Sequence, residues 1–234
     1  MATVFIWNNH MAHIGHTWPG HAAMSIDDQQ PRDYKATEPG YVSWIPVEGV
    51  SHSGNDRGGV NENIFQDLIY ETYAPDHIIR LTFTQAELQA MQQRWTTMQH
   101  KAEDDGGPSY LFYRKNCSVM VSRVLKVSAR GDAWYRHCTI WTPLNVKRLA
   151  LSMGGNPITW AAYIDELYQE DVIEENVRRC LRDYKRRESN RGSSGAAPRF
   201  DGETDHGKNK VHALEIALKA LPNAPVTRTP AWMV

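Results

Sequence analysis

Apolar positions along this chain fall into two kinds of pattern. In the first half they come as short runs between turn-forming residues. Val4-Phe5-Ile6-Trp7 predicts a strand over residues 3–7, followed over 8–20 by a loop punctuated with Gly, His and Pro. A second strand is predicted over 22–26, ended by Asp27-Asp28. A third is predicted over 41–46, between Pro39-Gly40 and Pro46. Residues 47–63 are rich in Gly, Asn, Asp and Ser and read as one long loop, a length often tied to function in compact domains. Residues 77–83 alternate weakly and predict a further strand.

In the second half the apolar spacing becomes helical. Thr84 and Glu87 form a T-x-x-E capping box, and Leu88, Met91, Trp95 and Met98 follow on one stripe. Residues 103–108 read as a turn and 110–114 as a short strand. Cys117, Met120, Val121, Val124 and Leu125 share a second helical stripe. Thr142-Pro143 is a cap followed by proline at the first helical position, and Gly154-Gly155 stops that helix. A long amphipathic helix is predicted over 159–187, with Trp160, Ile164, Leu167, Ile173, Val177, Leu181 and Tyr184 on its packing side and a basic end. Residues 189–209 have linker composition, and 210–221 predict one short helix stopped by Pro222. No internal repeat is visible.

Composition narrows the classes. The chain has 234 residues, 41% hydrophobic and 23% charged, which is globular and argues against disorder throughout. Lys plus Arg total 26 against 27 Asp plus Glu, so charge makes no case for nucleic acid or an anionic membrane surface. No apolar run approaches the ~20 residues of a spanning helix. The start, Met1-Ala2-Thr3, carries no basic region and no cleavage pattern, so synthesis in the cytoplasm without a cleaved signal is expected. The three cysteines, Cys117, Cys138 and Cys180, are neither a disulfide framework nor a C-x-x-C zinc pair.

The segment richest in chemistry is Asn116-Cys117-Ser118 at the start of a helix. A thiol there sits at the positive end of the macrodipole, which favours thiolate, and first-turn amides can donate to an oxyanion. The ordinary alternative is a small buried side chain, the common fate of free cysteine. A nucleophilic cysteine needs a base, and His21, between Gly20 and the apolar run that follows, opens a strand able to hold an imidazole rigidly. His10, His13, His16 and His21 raise a metal site as a second possibility, but four histidines around one loop are not a standard zinc set. No metal or other cofactor is therefore expected.

Five blocks in order, residues 20–26 (Gly-His-Ala-Ala-Met-Ser-Ile), 41–46 (Tyr-Val-Ser-Trp-Ile-Pro), 75–81 (Pro-Asp-His-Ile-Ile-Arg-Leu), 116–118 (Asn-Cys-Ser) and 141–143 (Trp-Thr-Pro), resemble circularly permuted papain-like cysteine hydrolases of the NlpC/P60 superfamily. More narrowly, they are similar to the bacterial toxins of that type delivered by type VI secretion. The histidine preceding the cysteine, His21 then Cys117, is the permuted order. The resemblance covers roughly residues 3–155. It implies an α+β fold: a permuted papain-like core, with an antiparallel sheet packed against the Cys-bearing helix, and extra C-terminal helices. The chain then divides into a catalytic core (1–155), a long helix packed on it (156–188) and a linker with a short helix (189–234).

The resemblance implies Cys117 as nucleophile and His21 as general base and acid. The third group is expected from the following strand, where Ser43 shares a face with Tyr41 and Ile45. Asp76, His77 and His52 are fallback orienters. Trp18 and Trp44 are candidate groove walls for substrate, and Asn116 a candidate to cap the helix or order the loop. The implied substrate is a peptidoglycan stem peptide, reached in a target-cell periplasm after delivery, with a type VI delivery component and a cognate immunity protein as partners. No nucleic acid and no membrane span are expected. Two alternatives stand beside it: a hydrolase of the same type on a lipid ester or other acyl group, and a non-enzymatic His-rich metal-binding or interaction module.

Overall fold

The computed structural model describes residues 1–8, 20–27, 37–46, 55–71, 75–104, 109–111, 115–131, 140–160 and 162–163. In chain order the elements are β1 (Ala2–Trp7), β2 (His21–Ile26), β3 (Tyr41–Val42), β4 (Ile45–Pro46), β5 (Asn55–Gly59), α1 (Ile64–Glu71), β6 (His77–Leu81), α2 (Gln85–Asp104), β7 (Ser109–Leu111), α3 (Cys117–Leu125), α4 (Pro143–Ser152) and β8 (Asn156–Ile158). A short 3₁₀ turn, Lys126–Ser128, extends α3. The fold is α+β with an antiparallel sheet.

The main sheet has the order β3-β2-β1-β6-β8, with every neighbouring pair antiparallel. β4, β5 and β7 make a second, three-stranded sheet. β1 and β2 are buried at every position, which explains why β1 carries the unbroken apolar run Val4 to Trp7 without a solvent-facing polar alternation. Val4, Ile6, Ala22, Met24, Ile26, Val42, Ile79 and Leu81 point to one side. There they meet Leu88, Met91, Trp95 and Met98 of α2, Met120, Val121 and Val124 of α3, and Val146, Leu149 and Ala150 of α4. Burying each such side chain contributes about 1.5–3 kcal/mol, so this layer holds the sheet and α3 in one unit.

The helix ends form as their residues dictate. The Thr84 backbone N–H and hydroxyl both donate to Glu87 Oε2, and the Glu87 N–H donates back to Thr84 Oγ1, which is the predicted capping box. Thr142 Oγ1 accepts from Asn145 N at the start of α4, and Gly154 takes φ +86° just past its end.

Three expectations need correction. The strand expected over 41–46 is two strands in two sheets, because the chain leaves the main sheet after Val42 and joins β5 from Ile45. The segment 47–63, expected to be one loop, contains β5, whose pairing with β4 and β7 supplies partners that local sequence does not show. Residues 156–158, expected to begin the long-helix unit 156–188, form β8 and pair with β6 in the main sheet, and the helix α1 falls where no element was expected. The helix expected over 159–187, the linker and the last helix lie almost wholly outside the described residues.

Candidate active site

α3 begins at the cysteine because Asn116 caps it. Asn116 has extended backbone angles, its Oδ1 accepts from Val119 N at 2.8 Å, and its Nδ2 donates to Trp141 O at 3.2 Å. Cys117 is thereby the first helical residue, at 4% exposure. Helix geometry leaves the Cys117 and Ser118 N–H groups without intrahelical acceptors, at the positive end of the dipole. α3 packs against β2, which brings the Ala22 backbone N–H to the side of the Cys117 sulfur.

His21 opens β2 opposite Trp7, after Gly20 turns the chain at φ +77°, a conformation that favours glycine. The Trp7 ring lies 5.3 Å from the imidazole, centroid to centroid, and shields it. On one side His21 faces the Cys117 side chain, close enough for the two to shift each other's pKa. On the other, Nε2 lies 3.3 Å from Asp67 Oδ1 and 3.3 Å from Ser43 Oγ. His21 is 3% exposed and Asp67 fully buried.

The electrostatics follow from this sandwich. Burial pushes the His21 pKa down, but the charges and hydrogen bonds of Asp67 and Cys117 outweigh it and raise it well above 6.5. Burial pushes the Cys117 thiol up, yet the charge and hydrogen bond of His21, the Ala22 N–H and the Ser118 hydroxyl bring it below its ordinary 9.0. Both shifts favour thiolate beside imidazolium.

Cys117, His21 and Ser43 come together, and Asn116 caps the helix that carries the thiol. Asp67, absent from the sequence reading, is the carboxylate facing the imidazole. It sits on α1, whose start carries a legible signal: Asn63 Oδ1 accepts from Gln66 N, and Ile64, Phe65 and Leu68 are buried at helical spacing. Trp44 is 3% exposed, stacked on the backbone at Gly58, where a Cβ would come within 2.4 Å of the indole. That packing leaves it almost no surface for a substrate, which corrects its expected place in a groove wall. Trp18 and His52 lie outside the described residues.

Asp76 and His77 sit apart from the imidazole, in a cluster of their own. Asp76 Oδ2 accepts from Asn8 N at 2.7 Å, and Lys147 Nζ lies 3.0 Å from His77 Nε2. Burial first, and then the Lys147 charge, hold the His77 pKa below 6.5. Among the described residues no three or more His, Cys, Asp or Glu side chains are placed to hold a metal, and no helix is long and apolar enough to cross a membrane. His10, His13 and His16 fall outside the described residues. No protein-family model, curated protein or solved structure matches the chain.

Proposed function

We propose that this chain is a cysteine hydrolase of the permuted papain-like type, acting as an amidase or endopeptidase on peptidoglycan stem peptides. The observation that carries it is the buried imidazole of His21 between the Cys117 thiol at a helix N-terminus and the Asp67 carboxylate. That arrangement supports acyl transfer. The Cys117 thiolate attacks a carbonyl, and the oxygen that gains charge is met by the N–H groups of Cys117 and Ser118. His21 gives its proton to the leaving amine, releasing it and leaving a thioester on Cys117. His21 then takes a proton from water, which attacks the thioester, and the returning proton frees the thiol.

The choice of a peptide substrate rests on the five sequence blocks and on the polar composition of residues 47–63. The same resemblance supports a toxin handed by a type VI apparatus into a target-cell periplasm, with an immunity protein in the producing cell. The test is digestion of purified sacculi by the wild type and by Cys117→Ala, with mass spectrometry of the released fragments. Stem-peptide fragments from the wild type alone are expected. Fragments from neither protein, both folded, would remove peptidoglycan as the substrate, and fragments from both would remove Cys117 as the nucleophile.

A further inference from the structure

Asp67 is held from three directions. Asn61 Nδ2 donates to Oδ1 at 2.6 Å, Ser43 Oγ donates to Oδ1 at 2.9 Å, and the Tyr41 hydroxyl donates to Oδ2 at 2.6 Å. All three donors are buried, with Tyr41 at 2%, Ser43 at 0% and Asn61 at 8% exposure. They come from three segments: the end of the main sheet, the crossing between the two sheets, and the turn before α1. His21 shares Oδ1 with two of them. A carboxylate served by several donors is fixed in both position and orientation.

We propose that Tyr41, Ser43 and Asn61 form a three-donor clamp on Asp67, and that the clamped carboxylate from α1, with Ser43 as one of its donors, is the positioning group for His21. The clamp acts on the nucleophile only through Asp67 and the imidazole. The other titratable groups around it are Cys117 across the ring, Glu38, which accepts from Ser25 and lies near Tyr41, Tyr163, also near Tyr41, and Glu71 one turn further along α1. The proposal rests on Cys117 and His21 forming the reactive pair, and its test needs no substrate.

Removing the Asp67 charge makes imidazolium less favourable, so the proton stays on the thiol at neutral pH. Removing one donor frees the carboxylate to turn away from the ring, so imidazolium is supported less well and the proton again stays on the thiol. The experiment is alkylation of Cys117 by iodoacetamide from acidic to basic pH, on the full chain, with mass spectrometry to locate the label. For Asp67→Asn the rate at neutral pH is expected to fall about ten-fold or more, and the rise to move toward the pH of an ordinary thiol. Tyr41→Phe and Asn61→Ala are expected to move the profile the same way by less.

The deciding measurement is the double variant. Tyr41→Phe in the Asp67→Asn background is expected to add no further shift, because its effect passes through a charge already removed. An equal shift in both backgrounds, or an Asp67→Asn profile identical to the wild type, would overturn the clamp. If Tyr41→Phe fails to fold, Asn61→Ala is put through the same cycle with the same expected outcome. A protein that passes this test but releases no sacculus fragments has lost the proposed substrate and kept the clamp.

Discussion

The two faces of the main sheet are equally dry and chemically opposite. On one, Val4, Ile6, Met24 and Ile79 meet the apolar stripes of α2, α3 and α4. On the other, Phe5 and Trp7 lie among Thr3, Ser25, Tyr41 and His21, with Glu38 and Asp67 brought in from other segments. The first face is held by contact area, which many side chains of similar volume supply. The second is held by assigned pairs: Ser25 with Glu38, and Tyr41, Ser43 and Asn61 with Asp67. Desolvating so many polar groups costs more than an apolar layer would, so stability is a poor reason for the second face to exist. Substitutions should therefore separate the faces, one set acting on stability alone and the other on chemistry as well.

The largest effect on stability is expected from the apolar face. Trp95→Ala should cost about 3–5 kcal/mol in urea unfolding and leave the Cys117 alkylation profile of the folded protein as it was. A displaced profile would show that the helical layer also tunes the thiol. Next comes Asp67→Ala, which strands three buried donors. It should cost about 1–3 kcal/mol and also abolish the reactivity of Cys117 at low pH. Unchanged reactivity with lowered stability would make Asp67 a packing residue only.

A third prediction concerns pH. The raised His21 contributes stability that is full below 6.5 and declines as pH rises toward its folded value. The lowered Cys117 contributes stability that is full above 9.0 and declines as pH falls toward its folded value. Between 6.5 and 9.0 the two contributions oppose each other, that of His21 declining and that of Cys117 growing as pH rises. Their joint contribution should therefore vary less with pH there than either contribution alone. Cys117→Ser removes the second slope, so its stability relative to the wild type should fall as pH rises toward 9.0, as read by urea midpoints; a constant difference would mean that the pair does not form. The smallest effect belongs to the helix caps. Thr142→Ala should cost about 1 kcal/mol and leave sacculus digestion unaltered, and lost digestion would tie the start of α4 to the site.

Much of the apolar face is legible in the chain itself. The stripe from Leu88 to Met98, the run Val4 to Trp7, and the caps at Thr84 and Thr142 are local patterns, and the structure places them as the pattern predicts. The polar face was legible only in part. Cys117 announces itself through Asn116, and His21 through the strand it opens. Asp67 did not stand out, because α1 is only eight residues long and follows directly on the stretch rich in Gly, Asn, Asp and Ser that reads as a loop. Ser43 was expected beside the histidine because the resemblance implies a third group from the following strand, but neither the resemblance nor strand alternation shows a carboxylate arriving from another element.

The sequence by itself determined the periods of the elements, the ends of the helices and the residue types able to do acyl chemistry, because each depends on neighbours within a few positions. Only the tertiary structure decided which carboxylate meets His21, that residues 41–46 divide between two sheets, and that Trp44 is interior. Those outcomes depend on segments tens of residues apart arriving at one point, and the chain records the separate pieces without the distances between them.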